Sequence, residues 1–238
     1  MADVIPHLAA PAEQAELWRE LDLAAVLSER TGLTVSLFND GNAGCWSELI
    51  ALDSPRSANV IYLLVSHFLA AGIVGDGVLW EGHTDNAAEL GSMLVSLPGR
   101  PAALAHQVAS ASALRNMLAE AGHAVSDLPT ADLEQAGYVG LMETWRQDAA
   151  RALAQVVFNA TTVIEHPLVV VDTVFSAEAT RALVEDVNAE FSRLPARPYR
   201  TPRMVVGKLG ALGPAIGAAE LPLFRRHFQL EARTPALF

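Results

Sequence analysis

Residues 59–80, NVIYLLVSHFLAAGIVGDGVLW, constrain the fold more than any other stretch of this chain. The apolar run Val60–Val74 is interrupted by Ser66 and His67. It is shorter than the roughly 18–20 residues that a membrane-spanning helix needs. It breaks instead into three β-prone pieces, Val60–Val65, Ala71–Val74 and Val78–Trp80. Gly75-Asp76-Gly77 separates the last two, and Asp-Gly between β-prone runs is a hairpin signal that makes Asp76 a turn residue. A hairpin of buried strands excludes an all-parallel sheet and predicts a mixed one.

The rest of the chain alternates. Residues 12–30 predict a helix with Leu17, Leu21, Ala24, Ala25 and Leu27 on one stripe, stopped at Gly32. TVSLFND predicts a short strand ending at Asn39 and Asp40, and GNAGCWSELIAL a helix beginning just after it. That step sets Asp40 near a helix N-terminus, where backbone N–H groups and the helix dipole favour a carboxylate. Helices follow over 102–121 and from about Thr130 to Phe158. Leu168–Val171 is a pure apolar strand, Ser176 to about Leu194 a helix, Met204–Val206 a strand and Leu212–His227 a terminal helix, with Pro195, Pro198 and Pro202 stiffening one connection. Strands alternating with helices predict an α/β layer fold.

Composition removes several classes of function. Hydrophobic residues at 51% against 18% charged exclude a disordered tail. A net charge of -11 opposes phosphate backbones, so direct nucleic-acid binding by this chain is not expected. One cysteine, Cys45, excludes a disulfide framework and reads as a small buried thiol. His67 and His83 lack companions at ligand spacing and read as ordinary histidines. The N-terminal residues show no basic stretch leading into an apolar run, so a cytoplasmic location without membrane attachment is expected.

Four segments in order carry a resemblance: VSLFNDGNAG, SHFLAAGIVGDGVLWEG, HTDNAAELGSMLV, and the pair EHPLVVVDTVF and GALGPAIGAA. From about Pro11 to about Phe228 the chain resembles the ROK family of repressors, open reading frames and sugar kinases. The resemblance implies an actin-like ATPase (ribonuclease H-like) lobe with a mixed sheet and flanking helices. The family's Asp-x-Gly-Gly-Thr phosphate hairpin and its repressors' winged helix-turn-helix have no counterpart in residues 1–238, which therefore read as the C-terminal portion of a ROK-type module.

The resemblance also assigns roles. Asp40 falls at the family's base, the carboxylate that takes the proton from the attacking sugar hydroxyl. Its plainer role is to cap the following helix. Asn39 would bind neighbouring hydroxyls, and Glu89 in AELGSM falls at a sugar-binding Glu. His106 lies near another such Glu, and an ordinary surface histidine is an equal reading. Ser92 replaces the family's zinc-ligating His, and the cysteine-rich zinc motif is LPGRPAALAHQ here, so no metal is expected. The phosphate loop, glycine-rich in kinases so that backbone N–H groups reach the phosphate, reads Ser66-His67-Phe68-Leu69-Ala70-Ala71-Gly72 and suits a plain buried strand pair better. Asp172-Thr173 replaces a Gly-Gly on the nucleotide side. These losses resemble the regulator subgroup. The expectation is a sugar-responsive transcriptional regulator with degenerate kinase motifs, binding a monosaccharide through Asn39, Asp40, Glu89 and His106 without a cofactor. The alternatives are an ATP- and Mg-dependent sugar kinase and a fragment acting only in oligomerisation. Expected partners are a second copy of the chain or a separate N-terminal lobe.

Overall fold

The computed structural model describes residues 12–125, 130–134, 136–198 and 200–228. The chain divides into two compact units, Met1–Leu37 and Phe38–Phe238. In the first, α1 spans Ala12–Glu20 and α2 spans Leu23–Thr31. The single helix expected over 12–30 is thus split, because Asp22 accepts the Ala25 N–H and starts a new helix as its N-cap. Gly32 ends α2 at φ +69°, a conformation glycine adopts without strain. Leu17, Leu23, Leu27 and Leu33 are exposed. Residues 34–39 form no strand. The expected strand over Val35–Phe38 is not made, since no strand among the described residues offers it a ladder.

In the second unit, α3 is Asp40–Ala51, β1 Val60–Val65, β2 Leu69–Gly75 and β3 Val78–Leu79. Then come β4 (Leu94–Val95), β5 (Ala103–Leu104), α4 (Ala111–Glu120), α5 (Val139–Ile164), β6 (Leu168–Thr173), α6 (Ala177–Phe191), β7 (Arg203–Val206) and α7 (Gly213–His227). The main sheet runs β3-β2-β1-β6-β7, and β4 and β5 form a separate ribbon. β2 is antiparallel to β1 and β3, whereas β1, β6 and β7 are parallel, which gives the mixed sheet expected from the hairpin. Asp76 and Gly77 both have positive φ, 51° and 78°, as a two-residue I′ hairpin turn requires.

Strand alternation divides the core into two layers. Ile61, Leu63, Val65, Val169 and Val171 face α4, α5 and α6 with Leu114, Leu153 and Leu183. Val60, Tyr62, Leu64, Leu168 and Val170 face α3 and α7 with Cys45, Trp46 and Leu221. α3 lies tightly on β2, since a Cβ on Gly41 would overlap the Ala71 carbonyl. α7 crosses α3 as closely, a Cβ on Gly217 overlapping the Ala43 carbonyl.

Two further expectations shift. The helix expected over 102–121 begins only at Ala111, where Ser110 accepts the Ala113 N–H; residues before it form β5 and a short 3-10 turn. The helix expected from Thr130 begins at Val139, after two 3-10 turns, and continues past Phe158 to Ile164. No helix among the described residues is long and apolar enough to cross a membrane.

Candidate functional site

Asn39 and Asp40 stand at the start of α3. Asn39 is the N-cap, its side-chain oxygen accepting the Asn42 N–H at 3.0 Å. The capping role first considered for Asp40 therefore belongs to its neighbour. The Asn39 amide nitrogen donates to Asn86 Oδ1 at 2.8 Å, and the Asn42 amide nitrogen donates to the Asp85 carbonyl at 3.3 Å. Two amides of α3 thus fasten the loop that leads to Glu89. Asp40 is exposed, and its Oδ1 accepts the Gly41 N–H at 2.9 Å.

Glu89 is exposed and precedes the 3-10 turn Leu90–Ser92. The Ser92 hydroxyl, at the expected zinc-His position, donates to Glu89 Oε2 at 3.3 Å. Gly91 packs on the Leu69 carbonyl, while Gly41 packs on Ala71, two residues farther along β2. Those points lie about 7 Å apart along the strand. Asp40 and Glu89 are therefore both set beside the first half of β2, and both carboxylates reach solvent.

His106 belongs to the 3-10 turn Ala105–Gln107, which is anchored by the Ala105 N–H donating to the Met93 carbonyl at 2.8 Å. Its ring centroid lies 5.9 Å from that of Phe68, which in turn lies 4.6 Å from that of His67. Three rings thus crowd the tip of the β1–β2 hairpin. Burial, and then the Arg115 guanidinium, hold His67 below the usual histidine range.

The tip itself closes on its own backbone. The Ser66 N–H donates to the Phe68 carbonyl at 2.8 Å, and the Ser66 hydroxyl donates to the same oxygen at 3.1 Å. The Ser66 and His67 carbonyls accept the Ala111 and Ser112 N–H groups at the start of α4. A loop that cradles phosphate needs N–H groups turned outward; here Ser66 spends its N–H within the turn. The strand pair itself is largely buried, as the sequence suggested, with Ala70 and Gly75 half-buried and His67 exposed at the tip.

At the opposite end of the α3 layer, Asp172 and Glu48 are fully buried beside Tyr62. The Tyr62 hydroxyl donates to Asp172 Oδ2 at 3.3 Å. Burial and then the Glu48 charge push the Asp172 carboxyl up to about 7. Burial, then Asp172 and Glu48, drive the Tyr62 hydroxyl far above its usual range, and burial does the same to the Cys45 thiol. In the sequence Asp172 reads only as a lost glycine, and nothing marks Glu48, Tyr62, Asn42 or Asn86. An acid closing the apolar strand LVVVDT was the one available signal for the buried group.

The sequence model of the ROK family matches residues 9–224. An N-acetylmannosamine kinase of Vibrio cholerae is 36% identical over 32% of this chain and 26% of its own length. A xylose repressor of Bacillus subtilis is 27% identical over 34% of this chain and 21% of its own. The chain thus matches about a quarter of the length of these relatives. A ROK family glucokinase from Streptomyces griseus, solved with glucose and AMPPNP, superposes with a TM-score of 0.68 at 19% identity, over 84% of this chain and 71% of that one.

Proposed function

This chain belongs to the ROK family, and from that premise we propose that it is the sugar-recognising part of a regulator whose kinase machinery has decayed. The observation that carries the reading is the hairpin tip. Ser66 turns its N–H and its hydroxyl onto the Phe68 carbonyl, and the Phe68 ring packs against His67 and His106 where a phosphate would approach. The buried Asp172 at the other end puts a side chain where the resemblance places a nucleotide-side glycine.

In this reading a monosaccharide rests against Asp40 and Glu89, whose carboxylates accept hydrogen bonds from adjacent hydroxyls, with His106 at the rim. Asn39 supports the site by fixing the 85–89 loop more than by touching sugar, because both ends of its amide are engaged. The second wall of the cleft comes from a further lobe or a second copy, and an open site of this kind binds sugar weakly, near millimolar or about -4 kcal/mol.

A second reading, a sugar kinase acting with ATP and Mg, is favoured by one observation. Asp40 keeps a solvent-reaching carboxylate on a rigid helix start, which is what a general base needs. One experiment separates the two. Hexoses and N-acetylhexosamines are titrated into wild type and Asp40→Asn while amide shifts are followed, and the same samples are assayed for ATP-dependent phosphorylation. Binding that is lost in Asp40→Asn without turnover supports the regulator. Turnover near one per second in wild type that is abolished in Asp40→Asn supports the kinase. Absence of shifts near Asp40 and Glu89 with every sugar removes the site assignment.

A further inference from the structure

Asp172 is the one acid of β6, and strand parity turns it toward α3 together with Leu168 and Val170. Glu48 reaches it from the inner side of α3. The two side chains are 1% and 0% exposed. Glu48 accepts the Lys208 N–H at 2.9 and 3.0 Å and the Leu209 N–H at 2.6 Å. Asp172 accepts the Tyr62 hydroxyl at 3.3 Å and the Gly210 N–H. The turn 207–210 covers both carboxyl groups, and no cationic side chain among the described residues pairs with either. Two buried carboxylates offer each other only acceptors, so a shared site favours a proton between them. The turn after β7 sits directly on the pair, because a Cβ on Gly207 would overlap the Asp172 carboxyl.

We propose that Glu48 and Asp172 hold one proton between them, and that this proton latches the 207–210 turn, and with it the start of α7, onto α3. With the proton in place, one negative charge is spread over the pair and met by three backbone N–H groups and the Tyr62 hydroxyl. Loss of the proton sets two carboxylates in contact in a buried site, and the repulsion is relieved when the turn lifts and admits water.

The groups around the pair do not take up a second charge. From α3, Cys45 faces it as a buried thiol whose own ionisation is suppressed. From β1 comes Tyr62, held neutral for the same reason. Lys208 gives only its backbone, its ammonium turning away to Asp53 at 2.7 Å. α7 begins with backbone, the Gly213 carbonyl accepting the Ser47 hydroxyl at 2.8 Å. Among the described residues, Glu48 supplies the charge that acts on Asp172. Burial and that charge set the release of the proton at about pH 7. The latch is therefore closed in mildly acidic solution and loosens as pH rises through neutrality. It bears on the end of α3 away from Asn39 and Asp40 and does not depend on any sugar being bound there.

Two measurements on the folded chain test this. The first is the titration of the Asp172 side-chain carbonyl by carbon NMR between pH 4 and pH 9. The second is amide exchange at Lys208, Leu209 and Gly210 over the same range, corrected for intrinsic exchange, in wild type and Asp172→Asn. The expected result is an Asp172 midpoint near neutrality. Protection at the three amides then falls about tenfold per pH unit above it in wild type, stays flat in Asp172→Asn, and is unchanged in both at Leu153 of α5. An Asp172 midpoint below pH 5 overturns the proposal. So does a neutral midpoint with protection at the turn independent of pH. Should Asp172→Asn fail to fold, the two wild-type curves decide alone.

Discussion

Asp172 gives stability a pH dependence opposite to that of an ordinary ion-paired carboxylate. Its proton is released at about 7 in the folded chain against 3.8 when unfolded. The folded state therefore binds more protons between those values, and stability falls as pH rises through that window, by at most about 1.4 kcal/mol per pH unit. Asp172→Asn keeps a donor for Glu48 and an acceptor for Tyr62 without a titrating proton. The variant is expected to flatten the curve between pH 4 and pH 7 and to unfold at higher denaturant than wild type at pH 8. Urea unfolding at a series of pH values checks it, and parallel curves for the two proteins contradict it. Asn39 makes a second residue-scale case. Its amide oxygen caps α3 and its amide nitrogen holds Asn86. Asn39→Ala is expected to lose about 1 kcal/mol of stability and to raise amide exchange over residues 85–92, both measurable without any ligand. A cap at the Asn-Asp pair was readable, but that Asn39 and not Asp40 supplies it was not. The bridge to Asn86 was not, because nothing in sequence links positions 39 and 86.

Among the elements, α3 and α7 owe their close crossing to glycine. Gly217 of α7 leaves no space for a side chain against Ala43 of α3, as Gly41 leaves none between α3 and Ala71 of β2. Gly217→Ala is expected to cost about 2–3 kcal/mol, because backbone must move and cannot simply repack. Gly140, near the start of α5, has nothing within 4 Å of the place where a Cβ would go. Gly140→Ala should therefore stabilise by about 0.5–1 kcal/mol through the lower entropy of the unfolded chain. Thermal unfolding of the two variants side by side checks the sign of each. A terminal helix over Leu212–His227 was legible, but which glycine touches its neighbour was decided by the crossing. The same division holds at α1 and α2. The apolar stripe of 12–30 suits one helix, yet Asp22 competes for the Ala25 N–H and splits it.

At the scale of the whole molecule, phosphoryl transfer requires donors turned toward the phosphates at the moment of transfer. With Ser66 closed on Phe68, the chain by itself is expected to release no ADP above background in a coupled assay with ATP and a hexose panel. A turnover near one per second would refute this. What the sequence determined by itself was local. Apolar runs gave the strands β1, β2, β3, β6 and β7 and the Asp76-Gly77 hairpin, an apolar stripe gave α6, and four ordered motifs gave the family. These are legible because period and turn chemistry act over a few residues. The strand over Val35–Phe38 failed because a strand exists only where another offers it a ladder, which is a property of neighbours and not of the segment. Tertiary structure alone decided three things: that Asn39 and Asn42 hold the loop leading to Glu89, that Ser66 closes the hairpin tip, and that Glu48 meets Asp172. Each joins residues far apart in the chain or turns on how a backbone group is finally partnered. Such pairings are fixed only when the sheet and its two helical layers close, because hydrogen bonds and charges act at distances of a few ångströms that sequence spacing does not encode.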